Sequence, residues 1–111
     1  MDTQELELQF AKASKELDAC RMNLFGKSEI VISATEKLEG AKMEALASGR
    51  IDGKNETERK GQLAELTHAE SEALASAQKD ERRARLEFDL ALSAFDLMRY
   101  RLRIAEIAAK L

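Results

Sequence analysis

Proline and tryptophan are absent from this chain of 111 residues, and cysteine occurs once. Without proline, nothing forces a kink inside a long periodic segment, so the five glycines are the only strong punctuation. Aromatic residues make up only 5% of the chain, which leaves leucine, isoleucine and alanine to form the core. That composition suits helices packed at close range and argues against a β-sandwich or a ligand-filled barrel. A lone Cys20 can build neither an intramolecular disulfide nor a thiolate metal site, and on an apolar helical stripe it reads as a small hydrophobe. No run is long and apolar enough to span a bilayer and no basic-then-apolar leader opens the chain, so the expectation is a cytoplasmic protein with no membrane contact. A formal net charge of −3 gives no global signal for a phosphate-backbone ligand.

What is present is heptad periodicity. Leu6, Phe10, Ala13, Leu17, Cys20, Leu24, Val31, Ala34, Leu38, Ala41 and Ala45 recur at intervals of three, four and seven, which predicts one helical seam. The seam keeps its phase across Phe25, Gly26 and Lys27, favouring a continuous helix, although Ser28 is placed to cap a restart. Two glycines in the stretch Gly49-Arg50-Ile51-Asp52-Gly53 supply a C-cap and a turn. Asn55 and Glu58 then have capping-box spacing, and Thr67 and Glu70 repeat it. A second seam follows: Leu74, Ala77, Ala84, Phe88, Ala91, Phe95, Met98, Leu102, Ala105 and Ala109.

These signals predict an all-α chain folded as an antiparallel long helical hairpin in a single domain, 1–111. The long helices run over about 3–48 and 68–110, the turn over 49–55, and a short helix over about 56–65. The alternative for 56–110 is one uninterrupted helix.

The last helix also carries a second apolar stripe, Leu86, Leu90, Leu97, Tyr100, Ile104, Ile107 and Leu111, roughly 150° from the first. One partner helix covers one stripe, and an uncovered second stripe is a larger apolar patch than soluble monomers usually expose. The expectation is therefore a homodimer forming a four-helix bundle, with a heterologous protein partner as the other candidate for the same face.

Catalytic and ligand motifs are missing. Gly49 to Lys54 has too few residues between its glycines for a Walker loop, lacks the following Ser or Thr, and comes after a helix where that fold needs a strand. Asp52, Asn55 and Glu56 lack the ligand spacing of a calcium loop. His68, the only histidine, has no nucleophile or carboxylate arranged as a catalytic partner, and no pair of carboxylates is isolated in an apolar setting. The reading is not an enzyme, with no cofactor and no metal. Lys79, Arg82, Arg83 and Arg85, then Arg99, Arg101 and Arg103, form basic clusters. Interleaved acids make them an ion-paired helix face before a nucleic-acid surface, which stays open as the less favoured reading.

The segment GRIDGKNETERKGQLAELTHAE, residues 49–70, resembles a pattern in small phage and prophage helical proteins with an IDGKN-type turn between helices. That group has no assigned activity. The resemblance implies a phage or prophage origin, hence the host cytoplasm, where small helical proteins often act by binding host or phage proteins. It makes Arg50, Asp52, Gly53, Lys54, Asn55 and Arg59 the candidate recognition residues at the turn. The functional expectation is a non-enzymatic protein-binding module, a phage accessory or an inhibitor of a host factor. The alternatives are a nucleic-acid-binding accessory to replication or recombination, and a structural or assembly subunit.

Overall fold

The computed structural model describes residues 2–111 and is all-helical over them. Helix α1 spans Thr3–Ala47, α2 Glu56–Leu66 and α3 His68–Ala109. Asp2 caps α1 by accepting the Glu5 amide at 2.7 Å through Oδ1, satisfying one of the donors that every helix start leaves open. The helix then continues unbroken through Gly26 and Gly40. It stops at Ser48, whose hydroxyl donates to the Ala45 carbonyl at 2.7 Å, and at Gly49, which takes φ +78°, a left-handed conformation that a Cβ would strain.

The boundary between α2 and α3 is a single residue. The spacing of Thr67 and Glu70 predicts that the Thr67 side chain accepts at the start of α3, and it does not. Thr67 Oγ1 instead donates back to the Leu63 carbonyl at 2.8 Å. The Thr67 amide also reaches Leu63 O at 3.1 Å, and the Ser71 amide reaches Thr67 O at 3.0 Å, so helical bonding passes through the junction. Only the Thr67 backbone departs, at φ −112° and ψ 16°, and a back-bonded threonine is a known cause of such bends.

The chain divides into two compact units, each with its own core. The first comprises residues up to Gly26 together with Arg82–Leu111. Here Phe10 meets Phe95 with ring centroids 5.0 Å apart, and the Arg21 guanidinium lies 5.9 Å from the Phe88 ring centre. Rising numbers on α1 meet falling numbers on α3, so the segments of this unit are antiparallel. Leu6, Leu17, Ala84 and Ala91 are buried between them. The second unit is Lys27–Glu81, where Ala34, Leu38, Ala45 and Ala77 are buried beside Thr67.

Every residue of the α1 seam is buried or half-buried, as is every residue of the α3 seam except Ala109. Alanine at the closest approaches lets helix backbones come near one another, and no large side chain is fully buried among the described residues. The polar faces carry ion pairs one turn apart, Arg21–Asp18, Lys42–Glu39, Lys60–Glu56 and Arg99–Asp96, all on exposed side chains where such pairs contribute little to stability.

Candidate functional site

The turn of the second unit is a built structure. Asn55 Oδ1 accepts the Glu58 amide at 2.8 Å, as an N-cap should. In a capping box the glutamate reaches back to the amide of the capping residue itself, whereas Glu58 Oε2 takes the amide one residue earlier, Lys54, at 2.8 Å. The Gln62 side chain supplies two further ties. Its Oε1 accepts the Gly53 amide at 2.9 Å and its Nε2 donates to Asp52 Oδ1 at 2.8 Å. Arg59 Nη1 donates to the Gly53 carbonyl at 3.2 Å. Both backbone groups of Gly53 are thus held by α2, and the turn is drawn down onto that helix.

Gly53 is glycine because of this approach. A Cβ on Gly53 would lie 2.8 Å from Glu58 Cβ and 2.9 Å from the Arg59 amide nitrogen, neither of which can swing aside. The six candidate recognition residues accordingly divide. Asp52, Gly53, Asn55 and Arg59 spend polar groups on building the turn, while the exposed Arg50 and Lys54 side chains form no ion pair among the described residues. Gln62 is the participant that sequence reasoning missed, since a glutamine nine and ten residues from its partners has no spacing signature.

Beside the turn, Lys42, Lys60 and His68 border a shallow groove floored by Leu38 and Leu63. Each already faces an acid: Lys42 meets Glu39 at 3.7 Å, Lys60 meets Glu56 at 3.3 Å, and His68 Nε2 lies 3.1 Å from Glu72 Oε1. The groove is therefore not a free anion site. Among the described residues no group of three or more His, Cys, Asp or Glu side chains is placed to hold a metal ion. Cys20 is half-buried in the first unit, in a groove with Glu16, Glu87, Leu90 and Ala91.

The second candidate surface belongs wholly to the first unit. Leu86, Leu90, Leu97, Tyr100, Ile104, Ile107 and Leu111 are all exposed, none less than half accessible. Leu86, Leu97, Tyr100, Ile104 and Ile107 sit on the face of α3 turned away from the α3 residues that pack against α1, and Leu90 lies at its margin, beside the groove that holds Cys20. Beyond Ala109 the chain continues with the Lys110 amide on Ile107 O at 3.1 Å and the Leu111 amide on Ala108 O at 3.3 Å, which carries the stripe to the last residue. Ser93 occupies the remaining position of the heptad between Leu90 and Leu97.

Among the described residues no helix is long and apolar enough to cross a membrane. No protein-family model, curated protein or solved structure matches the chain.

Proposed function

We propose that the chain is a non-catalytic helical module whose work is to bind protein, through the outer face of α3 and with the central turn as a second contact. The observation that carries this reading is the row of seven exposed apolar side chains along one helix face. A contiguous patch of that kind marks an interaction surface, because leaving it in water is unfavourable by roughly 25 cal/mol for each Å². At the turn, Arg50 and Lys54 are the side chains free to reach a partner, and the bonded residues beneath them hold the loop in one shape. A phage-encoded accessory, or an inhibitor of a host factor, is the setting that the IDGKN-type turn suggests.

The test is photo-crosslinking in the cells whose genome encodes the chain. A photoreactive residue at Leu97 or Ile104 is expected to capture protein, and one at Glu106, on the polar strip, to capture far less. Capture of nucleic acid alone, or of nothing, from Leu97 and Ile104 overturns the reading.

A second reading is favoured by one observation: Arg82, Arg83 and Arg85 are exposed and form no ion pair among the described residues. A nucleic-acid contact through them predicts affinity that falls steeply between 50 and 200 mM salt, by roughly a factor of ten for every few phosphates neutralised. An apolar protein interface is far less sensitive to salt over that range.

A further inference from the structure

Resting on the interaction-module reading, we infer that the occupant of the α3 stripe is a second copy of the chain, paired antiparallel about a two-fold axis between Met98 and Arg99. The argument is one of charge. In heptad terms Leu90, Leu97, Ile104 and Leu111 take one seam position, and Leu86, Ser93, Tyr100 and Ile107 take the other. The residues flanking the seam on its polar side are Asp89, Asp96, Arg103 and Lys110. Acids occupy the first half of the stripe and bases the second.

Antiparallel pairing of two such helices sets every one of the eight seam positions in a layer: Leu86 on Leu111, Leu90 on Ile107, Ser93 on Ile104, Leu97 on Tyr100. The same register places Asp89 opposite Lys110 and Asp96 opposite Arg103, and the two-fold axis makes each pair twice. All four contacts join opposite charges. Parallel pairing in register joins Asp96 with Arg101 and, at the margin of the stripe, Arg82 with Glu87, but it sets Asp89 and Arg103 against Ala94 and Ala108 and gathers like charges at each end. Within a single chain Asp89, Arg103 and Lys110 form no ion pair among the described residues, and Asp96 has only an exposed contact to Arg99 at 3.5 Å. The charges that antiparallel pairing needs are therefore at hand.

Self-complementarity of this kind defines an isologous interface. The stripe lies roughly 150° around α3 from the seam that meets α1. The four helical segments contributed by two such units then form a row, with the α3 pair in the middle, and not a square bundle.

Sedimentation equilibrium on the full chain and two single variants tests the pairing. Wild type is expected to be a dimer. Arg103→Asp sets two acids against Asp96 of the other copy, and Asp96→Arg sets two bases against Arg103, so each variant is expected to dimerise roughly tenfold more weakly or worse. An equimolar mixture of the two variants restores both opposite-charge pairs and is expected to regain wild-type association as a heterodimer. That recovery also excludes misfolding as the cause of the single losses, since both side chains lie on the polar strip away from α1. A parallel dimer is indifferent to Arg103→Asp, because Arg103 then faces Ala108, and the mixture gains nothing.

A dimer unaffected by Arg103→Asp, or a monomeric wild type, overturns the antiparallel pairing. The interaction-module reading fails separately, on the crosslinking result: capture of a different protein from Leu97 sinks only the pairing, and capture of no protein sinks both.

Discussion

Around the central turn, five side-chain hydrogen bonds tie residues 52–62 together, two of them reaching across nine or ten positions. In the unit that contains the chain ends, side-chain bonds stay within one turn of helix, Glu5 to Asp2 and Arg21 to Asp18, and the cohesion between segments is apolar. Of the exposed large hydrophobic residues among those described, eleven lie in the terminal unit, including all seven of the α3 stripe, and five, Ile30, Ile32, Met43, Leu46 and Leu66, lie in the central one. Directional bonds define one conformation for a loop without needing much buried area. Apolar packing needs area, and two thin helices supply it on one face only, leaving the other face of α3 exposed. The contrast teaches that the turn of one unit is fixed by its own polar groups, while the other unit carries the larger share of uncovered apolar side chains.

The largest effects are expected where both units depend on the same force. Leu17 and Leu38 are buried to similar degrees, one in each unit. Leu17→Ala and Leu38→Ala should each destabilise by about 2–4 kcal/mol, read from urea midpoints at one fixed protein concentration. A cost below about 1 kcal/mol at either site would mean that its unit is not held by this packing.

Next comes the turn. Gly53→Ala should cost about 1–3 kcal/mol, because the new methyl meets the Glu58 Cβ and the Arg59 backbone and the loop must lift. Faster hydrogen exchange at the Lys54 and Glu58 amides should accompany it, since both are bonded within the loop. Unchanged stability and exchange would remove the contrast between the units, because the turn would then be loose already.

How far these features could be read from sequence depends on the kind of signal each one leaves. The all-helical class and the two seams were legible because burial on a helix imposes a repeat, and Leu6 through Ala45 carry it in every heptad but one. Asn55 and Glu58 were legible as a pair because capping has a fixed spacing. Thr67 was misread because a threonine hydroxyl both donates and accepts. Its side chain took the Leu63 carbonyl, an option that sequence spacing does not distinguish from capping. The role of Gln62 left no trace, as contacts between a loop and the next turn of helix obey no period. The outer stripe of α3 was visible as a stripe, but apolar surface by itself names no occupant. The order of Asp89, Asp96, Arg103 and Lys110 along its edge is what narrows the choice of partner.

Smaller effects sharpen the picture of the turn. Gln62→Ala leaves the half-buried Gly53 amide without its acceptor and should cost about 1 kcal/mol, with the loss seen first as exchange at that amide. An equal cost for Gln62→Glu would show that the Nε2 bond to Asp52 matters more than the Oε1 bond to Gly53. A glutamate can still accept the amide proton but sets a carboxylate against Asp52.

The smallest effect has the opposite sign. Gly26 lies in the middle of α1 with ordinary helical backbone, and a Cβ built on it meets nothing within 4 Å. Gly26→Ala removes conformational freedom from the unfolded chain and introduces no clash, so it should stabilise by about 0.5–1 kcal/mol. Gly61, equally open in α2, should respond alike. Set beside Gly53→Ala, these variants separate a glycine required by a close backbone approach from glycines tolerated on a solvated helix. If Gly26→Ala destabilises instead, some contact that covers this side of α1 in solution is being blocked, and the face would join the α3 stripe as an interaction surface.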